Sequence, residues 1–73
     1  MTATEVHARS TIAYFIEASG LLRKATILEV DGILCDTQGE PLIATEEYQE
    51  LRGWRFSRAR RYTCGPHSYL VKV

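Results

Sequence analysis

No acidic residue follows Glu50 in this 73-residue chain. Residues 52–73 carry only cations: Arg52, Arg55, Arg58, Arg60, Arg61 and Lys72. Ahead of them, Arg9, Arg23 and Lys24 face Glu5, Glu17, Glu29, Asp31, Asp36, Glu40, Glu46, Glu47 and Glu50, so a formal net charge of zero hides a lengthwise separation of charge. Other features are scarce too. Two cysteines, Cys35 and Cys64, are too few for a disulfide framework and read as small core thiols in a reducing compartment; an oxidising one would allow a single bridge. No apolar run approaches the roughly 20 residues that span a bilayer as a helix. The longest, residues 12–16, is strand-sized. Gly32, Gly39, Gly53 and Gly65 stand singly, which excludes a glycine-rich phosphate loop. The first ten residues contain Glu5, His7 and Arg9 and lack the apolar core of a signal peptide, so a cytoplasmic location is expected.

What is present suits one small folded unit, residues 1–73, with residues 1–10 as a loosely held terminus. The hydrophobic share of 45% argues against intrinsic disorder. A chain of this length buries only about 60% of the surface its unfolded form exposes, so its stability is marginal.

Residues 11–18 alternate, with Ile12, Tyr14, Ile16 and Ala18 on one side and Thr11, Ala13, Phe15 and Glu17 on the other. Their β-branched and aromatic content favours a strand over the rival, a short helix capped by Ser10. Residues 22–30 alternate again, and Asp31-Gly32 is the best hairpin signal in the chain, since a type I′ turn needs two positive φ angles. Such a turn sets Val30 opposite Ile33 and Leu28 opposite Cys35. A turn at Gln38-Gly39-Glu40-Pro41 follows. Thr45 as cap, Glu46 and Glu47 at the positive end, Arg52 in the last turn and Gly53 as stop then spell a two-turn helix. Tyr48 and Leu51 are its packing residues. Residues 54–64 read as extended, and after Gly65-Pro66 residues 68–73 read as a last strand. The pattern is β-β-β-α-β-β: an α+β fold with about five antiparallel strands and one short helix.

The chemistry-bearing segment is Trp54 through Tyr62, where arginines interleave with aromatic rings. Guanidinium forks match phosphate geometry and aromatic faces stack on unpaired bases, so Arg55, Arg58, Arg60 and Arg61 define a nucleic-acid reading. The pI of 6.7 speaks against it. Trp54 and Phe56 are also the natural core anchors, a conflict that a bulge near Ser57 would remove. The rival is neutralisation inside the sheet, with Glu17 and Glu29 beside the basic strand. Cys64 and His67, joined by Cys35 and His7, count to four metal ligands, but only one pair has useful spacing. Neither a metal site nor a thiol catalyst follows from that. Asp31, Asp36 and Glu40 are explained by turn chemistry.

These residues point to a non-enzymatic protein-interaction module without cofactor or small-molecule substrate. It would bind a partner protein, or a second copy of itself, through the basic and aromatic strand or a sheet edge. Arg52, Arg55, Arg58, Arg60, Arg61, Tyr62 and Tyr69 are the binding residues on that reading. Its size suits an accessory or inhibitor protein of a phage or mobile element. RNA or single-stranded DNA binding through the arginines is the second reading.

Overall fold

The computed structural model describes residues 8–73. Six strands account for it: β1 (Ala8–Ile16), β2 (Leu22–Val30), β3 (Ile33–Cys35), β4 (Ile43–Glu50), β5 (Arg58–Cys64) and β6 (His67–Lys72). They form one antiparallel sheet in the order β3-β2-β1-β6-β5-β4, curled into a half-barrel. Among the described residues there is no helix, so the fold is all-β and not α+β.

The N-terminal half follows its alternation. β1 begins at Ala8, so residues 8–10 are strand rather than loose terminus, while residues 1–7 lie outside the described part. The hairpin register pairs Val30 with Ile33 and Leu28 with Cys35. Asp31 and Gly32 have φ angles of 50° and 82°, as a type I′ turn requires.

The sheet buries both of its faces, because Ala13 and Tyr14 are adjacent, point opposite ways and are both buried. On the inner face Ala13, Ile27, Leu42 and Val71 form one cluster, joined by Leu34, Tyr62 and Tyr69. On the outer face Tyr14, Leu70 and Ala59 are covered by the loop after β4, through Leu51 and Phe56. β6 serves both, with Leu70 outward and Val71 inward. The curl is tied near the β3–β4 connection, where the Leu42 amide donates to the Leu34 carbonyl at 2.8 Å and Cys35 bridges Pro41.

The expected helix is the strand β4. Thr45 does use its hydroxyl as a helix cap would, accepting from the Glu47 amide at 3.1 Å. The same hydroxyl donates to the Arg61 carbonyl at 2.8 Å, and the result is a bulge between Ala44 and Tyr48. Two turns of helix have no intrinsic stability to set against a ladder with β5 that runs from Ile43↔Thr63 to Glu50↔Arg58. β4 is an edge strand, largely exposed on both sides, so it needs no apolar alternation and showed none. Gly53 does adopt positive φ, 76°, within a loop and not as a helix stop.

Leu70 is almost fully buried and Ile43 is largely exposed. Leu70→Ala is expected to lower the unfolding free energy by about 2–5 kcal/mol in urea titrations, and Ile43→Ala to change it by less than about 0.5 kcal/mol. Equal effects would mean that the core has been misplaced.

Candidate interaction surface

The split charge of the sequence becomes two neighbouring strands. Arg58, Arg60 and Arg61 on β5 approach Glu50, Glu46 and Glu47 on β4 at 3.8, 3.4 and 3.4 Å. Arg60 also donates from Nε to the Thr45 carbonyl at 2.6 Å, and Arg61 from Nη2 to Ser68 Oγ at 3.2 Å. The guanidinium groups of Arg58 and Arg60 lie 5.0 and 5.5 Å from the Tyr48 ring centroid, in cation–π range. Glu17 and Glu29, the partners expected from the sequence, pair with Arg23 and Arg9 instead. Each such pair is solvent-exposed and contributes little alone, about 0–1 kcal/mol. Their effect is to place a carboxylate against each of these cations.

Four cations have no carboxylate within ion-pair distance among the described residues: Lys24, Arg52, Arg55 and Lys72. They share one side of the molecule. Lys24 stands opposite Tyr14 on β2, and Lys72 follows Leu70 by two residues on β6, so both project from the outer face. Arg52 and Arg55 belong to the 51–57 loop that lies over that face. Among the described residues the acids left without a cation, Asp31, Asp36 and Glu40, sit in the turns flanking β3.

The loop is held by its apolar residues and one polar tie. Leu51 and Phe56 are buried, the Leu51 amide donates to the Ser57 carbonyl at 2.7 Å, and the Arg55 amide donates to the Tyr14 hydroxyl at 3.0 Å. Trp54 packs edge-on against Tyr14 with centroids 4.8 Å apart, yet remains 43% exposed. No bulge near Ser57 is needed to separate core from arginines. Phe56 packs on the outer face while Arg58, Arg60 and Tyr62 line the inner one. A shallow pocket of about 330 Å³ lies beside the loop, lined by Ser10, Ile12, Arg55, Phe56 and Lys72.

The inner face offers less. Tyr62 and Tyr69 are cross-strand neighbours, each half-buried against the inner cluster. A groove of about 620 Å³ there is lined by Leu34, Leu42, Ala44, Tyr62 and Val71, with Glu29 at its edge already held by Arg9. Both cysteines are free thiols. Partial burial, then the Asp36 carboxylate 3.8 Å from Sγ, push the Cys64 thiol up from its usual range. Burial and Asp36 also raise the Tyr69 phenol, with Arg23 working in the opposite direction. Among the described residues no three His, Cys, Asp or Glu side chains gather as metal ligands, and His7 lies outside them. No helix of the described residues is long and apolar enough to cross a membrane.

Of the residues expected to bind, Arg52 and Arg55 thus lie with the unpaired cations, Arg58, Arg60 and Arg61 are ion-paired, and Tyr62 and Tyr69 pack half-buried against the inner cluster. Sequence reasoning passed over Lys24 and Lys72, since neither lies in the segment where arginines interleave with aromatic rings. The chain matches no protein-family model, no curated protein and no solved structure.

Tyr14→Phe removes the acceptor of the Arg55 amide and is expected to destabilise by about 1 kcal/mol. The emission of the single tryptophan should also shift to the red as the loop loosens. An unchanged spectrum and stability would remove this tie. Cys64 should react with iodoacetamide near pH 8 more slowly than a cysteine in an unstructured peptide, because its thiolate is disfavoured by burial and Asp36. Asp36→Asn should speed it; equal rates for protein and peptide would contradict the assignment.

Proposed function

We propose that the protein is a small non-enzymatic interaction module that binds an acidic surface of a partner protein through the 51–57 loop and the outer face beneath it. One distribution supports this reading: Lys24, Arg52, Arg55 and Lys72 lack carboxylate partners among the described residues and lie on the outer face or in the loop that carries the half-exposed Trp54. Trp and Arg are the residue types that most often carry binding energy at interfaces, above all where a ring is anchored on one side and open on the other. Trp54, braced by Tyr14, has that form. The nucleic-acid reading loses support, because three of its four arginines stand against glutamates that would repel a phosphate chain.

The test compares capture from a native lysate by the wild-type chain, by an Arg52→Glu/Arg55→Glu double variant and by Arg58→Ala. A protein retained by the wild type and by Arg58→Ala, but lost with the double variant, is the expected result. Trp54→Ala should weaken that complex by about tenfold or more. Titration of labelled RNA and DNA oligonucleotides at about 50 and 200 mM salt runs alongside. Oligonucleotide binding with a steep salt slope, or equal capture by all three proteins, would sink the proposal.

A further inference from the structure

The sheet is not fully used along β2. β3 pairs only with residues 28–30 of that strand, so residues 22–27 have β1 on one side and no strand of the described residues on the other. Which main-chain groups are left over follows from the turn. A two-residue type I′ loop makes its flanking residues a hydrogen-bonded pair, so the N–H and C=O of Val30 point toward β3. By strand alternation those of Leu28 do as well. The groups of Leu22, Lys24 and Thr26 then point the same way, past the end of β3, where no strand of the described residues receives them. The groups of Arg23, Ala25 and Ile27 are spent on β1.

We propose that this open edge, from Leu22 to Thr26, takes up an extended acidic segment of the partner as an added strand. The inference rests on the outer-face reading and names how the partner is held. Side chains of Leu22, Lys24 and Thr26 project from the outer face, opposite Ile16, Tyr14 and Ile12. A carboxylate of the added strand that faces outward beside Lys24 meets an unpaired ammonium. Next to it lies the loop whose Arg55 is tied to Tyr14. The charge along the edge also has a direction. Asp36 and Glu40 stand in the turn after β3, at the end where Cys35 opposes Leu28, so acidic residues of the segment belong at the Lys24 end.

A second copy of this chain fits the edge poorly. Antiparallel self-pairing must oppose outward-pointing residues with outward-pointing ones. Centred on Lys24, it sets Lys24 against Lys24; centred on Arg23, it sets Arg23 against Arg23. Centred on Ala25, it sets Lys24 opposite Thr26 but Leu22 opposite Leu28, which β3 already covers, so only the short 24–26 stretch can pair. Directly opposed like charges destabilise a strand pair. The other open edge, β4, carries a bulge and three glutamates and is guarded against strand addition.

Thr26→Pro separates the ideas, because its N–H points away from β1 and its loss breaks no existing rung. The probes are an end-blocked peptide Val-Glu-Val-Glu-Val-Thr and its lysine counterpart, followed by amide NMR and Trp54 fluorescence. The acidic peptide is expected to shift the amides of Leu22, Lys24 and Thr26 and slow their exchange. Thr26→Pro, shown folded by circular dichroism and urea titration, should abolish this effect. Lys24→Glu should weaken acidic-peptide binding by up to about fivefold and favour the lysine peptide. Binding that perturbs Trp54 and Arg55 but survives Thr26→Pro would overturn strand addition and leave the outer-face reading standing. No perturbation at either place would overturn both. Concentration-dependent protection of the edge without peptide would assign it to a second copy and overturn the proposal, as would equal binding of the two peptides.

Discussion

Four residue pairs between β1 and β6 form the seam of the sheet that joins the two halves of this protein. Strands β1, β2 and β3 follow one another as neighbours, as do β4, β5 and β6, and β1 meets β6 only at Ala13↔Val71, Tyr14↔Leu70, Phe15↔Tyr69 and Ile16↔Ser68. Both hydrophobic clusters are built across that seam. Ala13 and Val71 close the inner one, Tyr14 and Leu70 the outer one, and the edge-on contact of Phe15 with Tyr69 at 5.3 Å lies beside them. These contacts are distant in sequence, so the chain must pay the loop-closure entropy before either core exists. The sheet therefore forms as one cooperative unit or not at all.

The separated charge is settled away from that seam. The acidic and basic stretches adjoin in sequence around residue 50, and antiparallel pairing of β4 with β5 turns the junction into a ladder of opposite charges. Neutralisation is thus local, between consecutive strands, and Glu17 and Glu29 are left to pair within the first hairpin. What remains unpaired sorts by geometry. The cations collect where the 51–57 loop crosses the outer face, and the acids in the turns flanking β3. A molecule of zero formal net charge still presents a positive side.

The parts of this arrangement that were legible in the sequence are those governed by short-range rules. Asp31-Gly32 fixes a hairpin register because only one turn geometry suits two residues of positive φ, and the register then follows by counting. β4 was illegible for a physical reason. Its Thr-Glu-Glu opening satisfies the electrostatics of a helix start, and as an exposed edge strand it lacks the apolar alternation that marks a strand. Only the presence of β5 alongside decides between the two states. The candidate site was half legible. Arg52 and Arg55 stood out by charge. The ion-pairing of Arg58, Arg60 and Arg61 depends on β4 forming as a strand beside β5, and the common face of Lys24 and Lys72 depends on the β1–β6 seam.

A sheet of six strands curled this far is close to a barrel, and a closed barrel has no edges to offer. Closure stops here because β3 ends at Cys35. The Asx turn at Asp36, whose Oδ1 accepts from the Gln38 and Glu40 amides at 2.9 and 2.8 Å, sends the chain away from β2. Four more residues of strand in the same register would have covered Lys24 and left a plain barrel with a cationic cap. The short β3 instead leaves main-chain donors and acceptors exposed next to the unneutralised charges. In so small a molecule the outer core, the Trp54 loop and the open edge are one continuous surface. Tyr14 is the residue common to all three: it packs in the core, its hydroxyl holds the loop, and its cross-strand neighbour Lys24 marks the edge.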